Sequence, residues 1–360
     1  GFAGLRSTLD AHRLSLATPL GIGPWFILML TVNGLVGITA QPHILATVGT
    51  GKDENACRAG FLYGNLVKRV CTIGWAMTGL IVSVIVARGI FGERSLPDPE
   101  AAFGYACRHL LFPGGVGLLI ACVLAANMTT CSSLMVNSGA LFTRSLYQRH
   151  LMPNRTDGHY LWVGRFAGLI VTVLAVLYST LLVDRVLYSF LLCETVAAFV
   201  GVSLLGGIVW RRANRWGALA SVVAALGTNF LLYHHRGQRL DHWEPDVFGL
   251  ALISGVASLV VVSLLTPSEP ARETADYFRR LQTPSDAPDF SAVAVAMEGA
   301  QLRATAEAQK QLLLVNLLQL RRGAAGVGFF RAYRVDLTGF AIGGALTVGL
   351  VMIVWLLFAL

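Results

Sequence analysis

Charge is what this sequence has least of. Asp, Glu, Lys and Arg make up 13% of its 360 residues, against roughly 25% in a typical soluble domain. That scarcity excludes an ordinary water-soluble globular chain. The six cysteines, Cys57, Cys71, Cys107, Cys122, Cys131 and Cys193, form no CxxC pair, which argues against both a zinc site and a disulfide framework. No nucleotide loop, nucleophile elbow or metalloprotease motif is present, so no enzyme is expected. The first residue is Gly1, and no signal peptide precedes the first apolar run. An N-terminal part of the natural protein is therefore expected to lie outside this sequence. What the chain does have is apolar surface, with 55% hydrophobic residues and a mean hydropathy of +0.63. A formal charge of +8 then fits the cytoplasmic loops of a multispanning protein, and no nucleic-acid partner is expected.

Eight apolar stretches are long enough to cross a bilayer of about 30 Å at about 1.5 Å per residue. They run approximately over residues 23–45, 66–87, 113–147, 160–183, 186–210, 216–233, 247–265 and 337–359. The expected fold is an all-α polytopic membrane protein in contact with a lipid bilayer. Residues 1–22 read as an extramembrane loop, and 88–112 as a loop with a short helical candidate from Glu100 to Leu110. Residues 266–335 read as a cytoplasmic helical segment whose Ala- and Gln-rich part is 291–322. Lys68 and Arg69 read as headgroup anchors at the start of the second span. His234, His235 and His242 read as solvated loop residues, because no ligand spacing or carboxylate set accompanies them. If the first span enters from outside, 20 of the 28 Lys and Arg fall on the cytoplasmic side, with Arg211, Arg212 and Arg215 in one short turn.

Three spans carry groups that hydrocarbon penalises. The first holds Asn33, Gly34, Gly37, Thr39, Gln41 and Pro42, which weaken helical continuity near the midplane. Pro42 removes a backbone donor and crowds the preceding turn. An interrupted helix at this depth marks either a transport site or a kink needed for packing. The third span turns polar from Asn127 onward, with Thr129, Thr130, Ser132, Ser133, Asn137 and Ser138. Ala126, Thr129, Thr130 and Ser133 share one helical face. Their oxygens suit a small hard cation, or they are small groups that let helices approach closely. Glu194, in the fifth span, is either a polar relay or substrate contact, or an acid near the interface two to three turns from Arg185.

Three motifs are similar to the sodium/solute symporter family, and closest to its sodium/proline branch: GITAQPHIL, AANMTTCSSLMVNS through FTRSLY, and WRRANRWGALAS. The resemblance covers most of residues 1–285 and implies the inverted-repeat, broken-helix transporter fold. Residues 23–210 would then form the second five-helix repeat, 211–265 two peripheral helices, 266–335 a cytoplasmic segment and 336–360 a last helix. The first repeat would be absent. By the same resemblance, sodium would be bound by the Ala126 carbonyl with the Thr129 and Thr130 hydroxyls and ligands from the missing N-terminal half. Ser145 stands where the family often has an acid. The solute would lie beside Asn33, Gly34, Val36, Gly37 and Gln41. Val36 and Gly37 occupy the places of the aromatic pair in the sugar-transporting branch, which favours an amino acid or organic acid over a sugar. The expectation is a sodium-coupled secondary transporter, multi-pass in the cell membrane, with a bacterial inner membrane as its setting. A symporter-like sensory module and a transport-incompetent fragment are the alternatives.

Overall fold

Uninterrupted apolar runs free of proline leave a chain in lipid little choice but helix, since each backbone N–H and C=O must be satisfied within its own segment. The computed structural model describes residues 2–9, 22–52, 54–92, 95–96, 98–181, 183, 186–237, 243–270, 274, 277–278 and 334–359, and among these there is no strand. The helices are α1 (Phe2–Thr8), α2 (Pro24–Gly37), α3 (Pro42–Val48), α4 (Glu54–Ala87), α5 (Ala102–Leu110), α6 (Gly115–Leu141), α7 (Asp157–Leu181), α8 (Val186–Val209), α9 (Arg215–His235), α10 (Pro245–Leu265) and α11 (Arg334–Ala359). Seven helices are long and apolar enough to span a membrane, and α2 with α3 makes an eighth if that bent pair is one span. The chain is an all-α, multi-pass membrane protein.

Several boundaries differ from the sequence expectation. Part of the expected loop at residues 1–22 is the helix α1, held by the Arg88 guanidinium, which donates to Thr8 Oγ1 at 2.8 Å, Ser7 Oγ at 2.9 Å and the Gly4 carbonyl at 3.2 Å. Helix α4 starts at Glu54, so Lys68 and Arg69 sit near the middle of a 34-residue helix. The apolar run that can cross lipid still begins directly after them, at Val70. His234 and His235 are the last residues of α9, not loop, while His242 and the 291–322 segment lie outside the described residues. Helix α6 runs on as a π-helix over Phe142–Leu151, a widened winding that the sequence pattern did not announce.

The tightest packing joins α2, α8, α9 and α10. Small residues repeat at helical spacing on the facing sides, Gly217, Ser221 and Ala225 on α9 against Ala251, Gly255 and Ser263 on α10, and they are buried. A Cβ on Gly217 would run into the Ser263 hydroxyl. Between these helices Met29, Ala198, Phe199, Ala225, Trp243, Phe248 and Ala251 form the main core. The α8–α9 turn is fastened from below: Asn214 caps α9 through Gly217 N at 2.9 Å while its amide donates to Thr266 Oγ1 at 2.7 Å. Arg212 donates to the Thr266 carbonyl at 2.7 Å, and the Arg211 guanidinium lies 4.9 Å from the Phe278 ring centre. Burial there pushes the Arg211 guanidinium below its ordinary value.

Candidate functional site

The break in the first span falls at Gln41. The helical stretch 24–40, whose last three residues Ile38–Ala40 tighten to a 3₁₀ turn, meets α3 at 62°. Pro42 explains the place: it has no N–H for the Ile38 carbonyl, and its ring pushes Gln41 out of the helical region. Gln41 is accordingly extended, at φ −82° and ψ 109°.

Helix α8 closes on this break because both partners present glycine. The Gly37 face lies against Glu194, so that a Cβ there would sit 3.0 Å from the Glu194 carbonyl and 3.1 Å from its Oε2. Two turns of α8 further on, a Cβ on Gly201 would run into the Val36 carbonyl. The close approach brings side chains together. Gln41 Nε2 donates to Glu194 Oε1 at 2.8 Å. Asn33, 1% exposed, contacts Thr195, 2% exposed, with Nδ2 3.4 Å from Oγ1, and Trp243 Nε1 donates to the same hydroxyl at 3.0 Å. Asn33 Oδ1 is buried without a partner. Glu194 is the ninth residue of α8, about 12 Å along the helix from its start.

The first turn of α8 is itself capped. Val186 N and Leu187 N donate to the two carboxylate oxygens of Glu100, at 3.3 Å and 3.2 Å. A carboxylate at a helix N-terminus satisfies free N–H groups and matches the helix dipole.

Of the residues expected beside a solute, Asn33, Gly37 and Gln41 converge on α8 with Glu194. Gly34 is exposed with no atom within 4 Å of a Cβ position, and Val36 contributes its carbonyl, which accepts from Thr39 Oγ1 at 2.7 Å. The three residues expected to bind sodium are gathered on α6: Thr129 Oγ1 and Thr130 Oγ1 donate to the Ala126 carbonyl at 2.8 Å and 3.1 Å. All three are exposed. Sequence reasoning missed Thr195, Trp243 and Glu100. Thr195 was signalled only by its place beside an acid in a span, and Trp243 lies next to what read as a polar loop.

An all-α, multi-pass chain with a broken helix packed on an acid-bearing one has the build of a membrane transporter. A family model described as the sodium:solute symporter family matches residues 9–225, and the chain belongs to that family, which is one of transporters. It is similar to the osmoregulated proline transporter OpuE of Bacillus subtilis, at 26% identity over 68% of this chain and 48% of the relative. The high-affinity proline transporter PutP of the same organism is 27% identical over 71% of this chain and 52% of its own length. A sodium/pantothenate symporter of Haemophilus influenzae is 24% identical over 54% and 40% respectively. The chain spans about half the length of the curated relatives it matches.

Proposed function

We propose that this chain is the part of a sodium-coupled symporter that carries a sodium half-site on α6 and the solute-facing broken helix α2–α3. The observation that carries the reading is the convergence of two hydroxyls on one carbonyl, at Ala126, Thr129 and Thr130, in a chain of this family. Three neutral oxygens on one helical face offer part of the shell that a monovalent hard cation needs, and further oxygens would come from other helices of the same transporter. Residues 23–210 form, in this reading, the second five-helix repeat, with α9 and α10 peripheral to it.

The solute is a small organic molecule, an amino acid or organic acid, consistent with relatives named for proline and pantothenate. Sodium and solute favour the same conformations, and this shared preference is all that coupling requires. The inward sodium gradient then drives alternating access across the bacterial inner membrane. Uptake into proteoliposomes tests the reading. Flux through the full-length transporter should follow the sodium gradient, and Thr129→Ala with Thr130→Ala should raise the sodium requirement at least about tenfold. Uptake that is indifferent to sodium in the unsubstituted protein overturns it.

A further inference from the structure

Glu194 is a carboxylate inside a membrane span, and no described Lys, Arg or His lies within ion-pair distance of it. An ion buried in this setting is expensive unless matched by opposite charge or several donors. Gln41 supplies one donor, to Oε1. Because a carboxylate accepts only, that bond fixes the Gln41 amide with its nitrogen toward Glu194 and its oxygen turned away. Oε2 lies over the bare backbone of Gly37.

On the α2 side of the break the surroundings add acceptors, while the N-terminus of α3 begins on its other side. The helical stretch 24–40 ends here, so its last turn presents carbonyls and the negative end of its dipole. Pro42 deprives the Ile38 carbonyl of its usual donor. One turn before Gly37, Asn33 Oδ1 is buried and unpartnered. A carboxylate, an amide oxygen and a helix C-terminus therefore meet on the α2 side of the break, and all of them call for positive charge or N–H donors.

Resting on the reading of the break as the solute site, we infer that Glu194 is a specificity-determining residue that pairs with a positively charged nitrogen on the solute. The solute class is a zwitterion or cation bearing an ammonium centre, with the nitrogen against Glu194 and Gln41 at the α2–α3 break. A solute whose only charge is a carboxylate, such as pantothenate, is rejected because it would face Glu194 with like charge.

The test is thermal unfolding of the full chain in detergent, without a sodium gradient, in the presence of matched solutes. Glycine betaine is compared with tert-butylacetate, its carbon isostere, and L-proline with tetrahydrofuroate, its ring-oxygen analogue. Choline, L-arginine and putrescine extend the positively charged set, and pantothenate serves as the anion. At least one compound with a charged nitrogen should protect the protein at concentrations lower by roughly tenfold or more than its nitrogen-free counterpart or pantothenate. Glu194→Gln should erase that difference and Glu194→Asp should retain most of it. Equal protection by both members of each pair, protection by pantothenate alone, or protection by no positively charged compound overturns the inference. The comparison within the unsubstituted protein decides the matter even if Glu194→Gln fails to fold. Discrimination without sodium-driven uptake would instead sink the symport reading and leave the pairing at Glu194 intact.

Discussion

The block of α2, α8, α9 and α10 and the long helix α6 are both apolar enough to span a membrane, yet they use their polar and small residues in opposite ways. In the block, small residues bring backbones together: seven residues of α10 are buried, among them Ala251, Gly255 and Ser263. On α6 only Gly115 and Gly139 are buried, and the hydroxyls of Thr129, Thr130 and Ser132 bond back to their own helix. Small and hydroxyl residues look alike in a sequence. What separates them is whether a facing helix carries the complementary small residue at the same height. The block therefore carries the packing among the described helices, while the hydroxyls of α6 take no part in it.

Substitutions can break that division. The largest effect on stability is expected for Gly201→Val, whose side chain has no space against the Val36 carbonyl. It should cost about 2 kcal/mol or more, read as a lowered melting temperature in detergent. Gly227→Ala, on α9 with nothing within 4 Å of its Cβ, is the control and should melt at or slightly above the unsubstituted protein. Next, Thr195→Val leaves Trp243 Nε1 and Asn33 Nδ2 without their acceptor. A loss of about 1–3 kcal/mol follows, and the indole fluorescence of a more mobile Trp243 should report it. Glu100→Ala removes the cap of α8 and should cost about 1 kcal/mol, visible as faster amide exchange confined to the first turn of α8. The smallest effect is expected for Thr129→Ala and Thr130→Ala, within about 0.5 kcal/mol, although the same pair should raise the sodium requirement for uptake at least about tenfold. Melting lowered by that pair as much as by Gly201→Val would show that α6 hydroxyls are packing groups, and the contrast would collapse.

The spans and the break were legible because their causes are local. Runs of apolar residues specify buried helix, and Pro42 interrupts one wherever the chain is placed. Glu194 was legible as an acid where acids are rare, and the structure puts it about 12 Å into its helix, beside the break. Its pairing with Gln41 was not legible, because 153 residues separate the two and no local pattern encodes which glycine faces which. The early start of α4 was hidden by Glu54, Arg58 and Asn65, polar residues that a helix tolerates at its exposed positions as readily as a loop does. The π-helix at Phe142–Leu151 has no residue type of its own, since a widened turn is a backbone choice made by the surrounding contacts. Trp243 follows a polar stretch and is buried among residues that include Phe26, Thr195 and Phe248, the first two remote in sequence.

The bend at Gln41 concentrates a change of direction into one residue, and α3 beyond it is a rod of seven residues, about 10 Å long. A rotation of roughly 10° at that joint would sweep the far tip of the rod through about 2 Å. Since α3 rests on both α4 and α6, a nudge at the Glu194 end is magnified into a sideways push on the helix that bears Thr129 and Thr130. Leverage of this sort would let two remote chemical events feel each other without any wire of side chains between them.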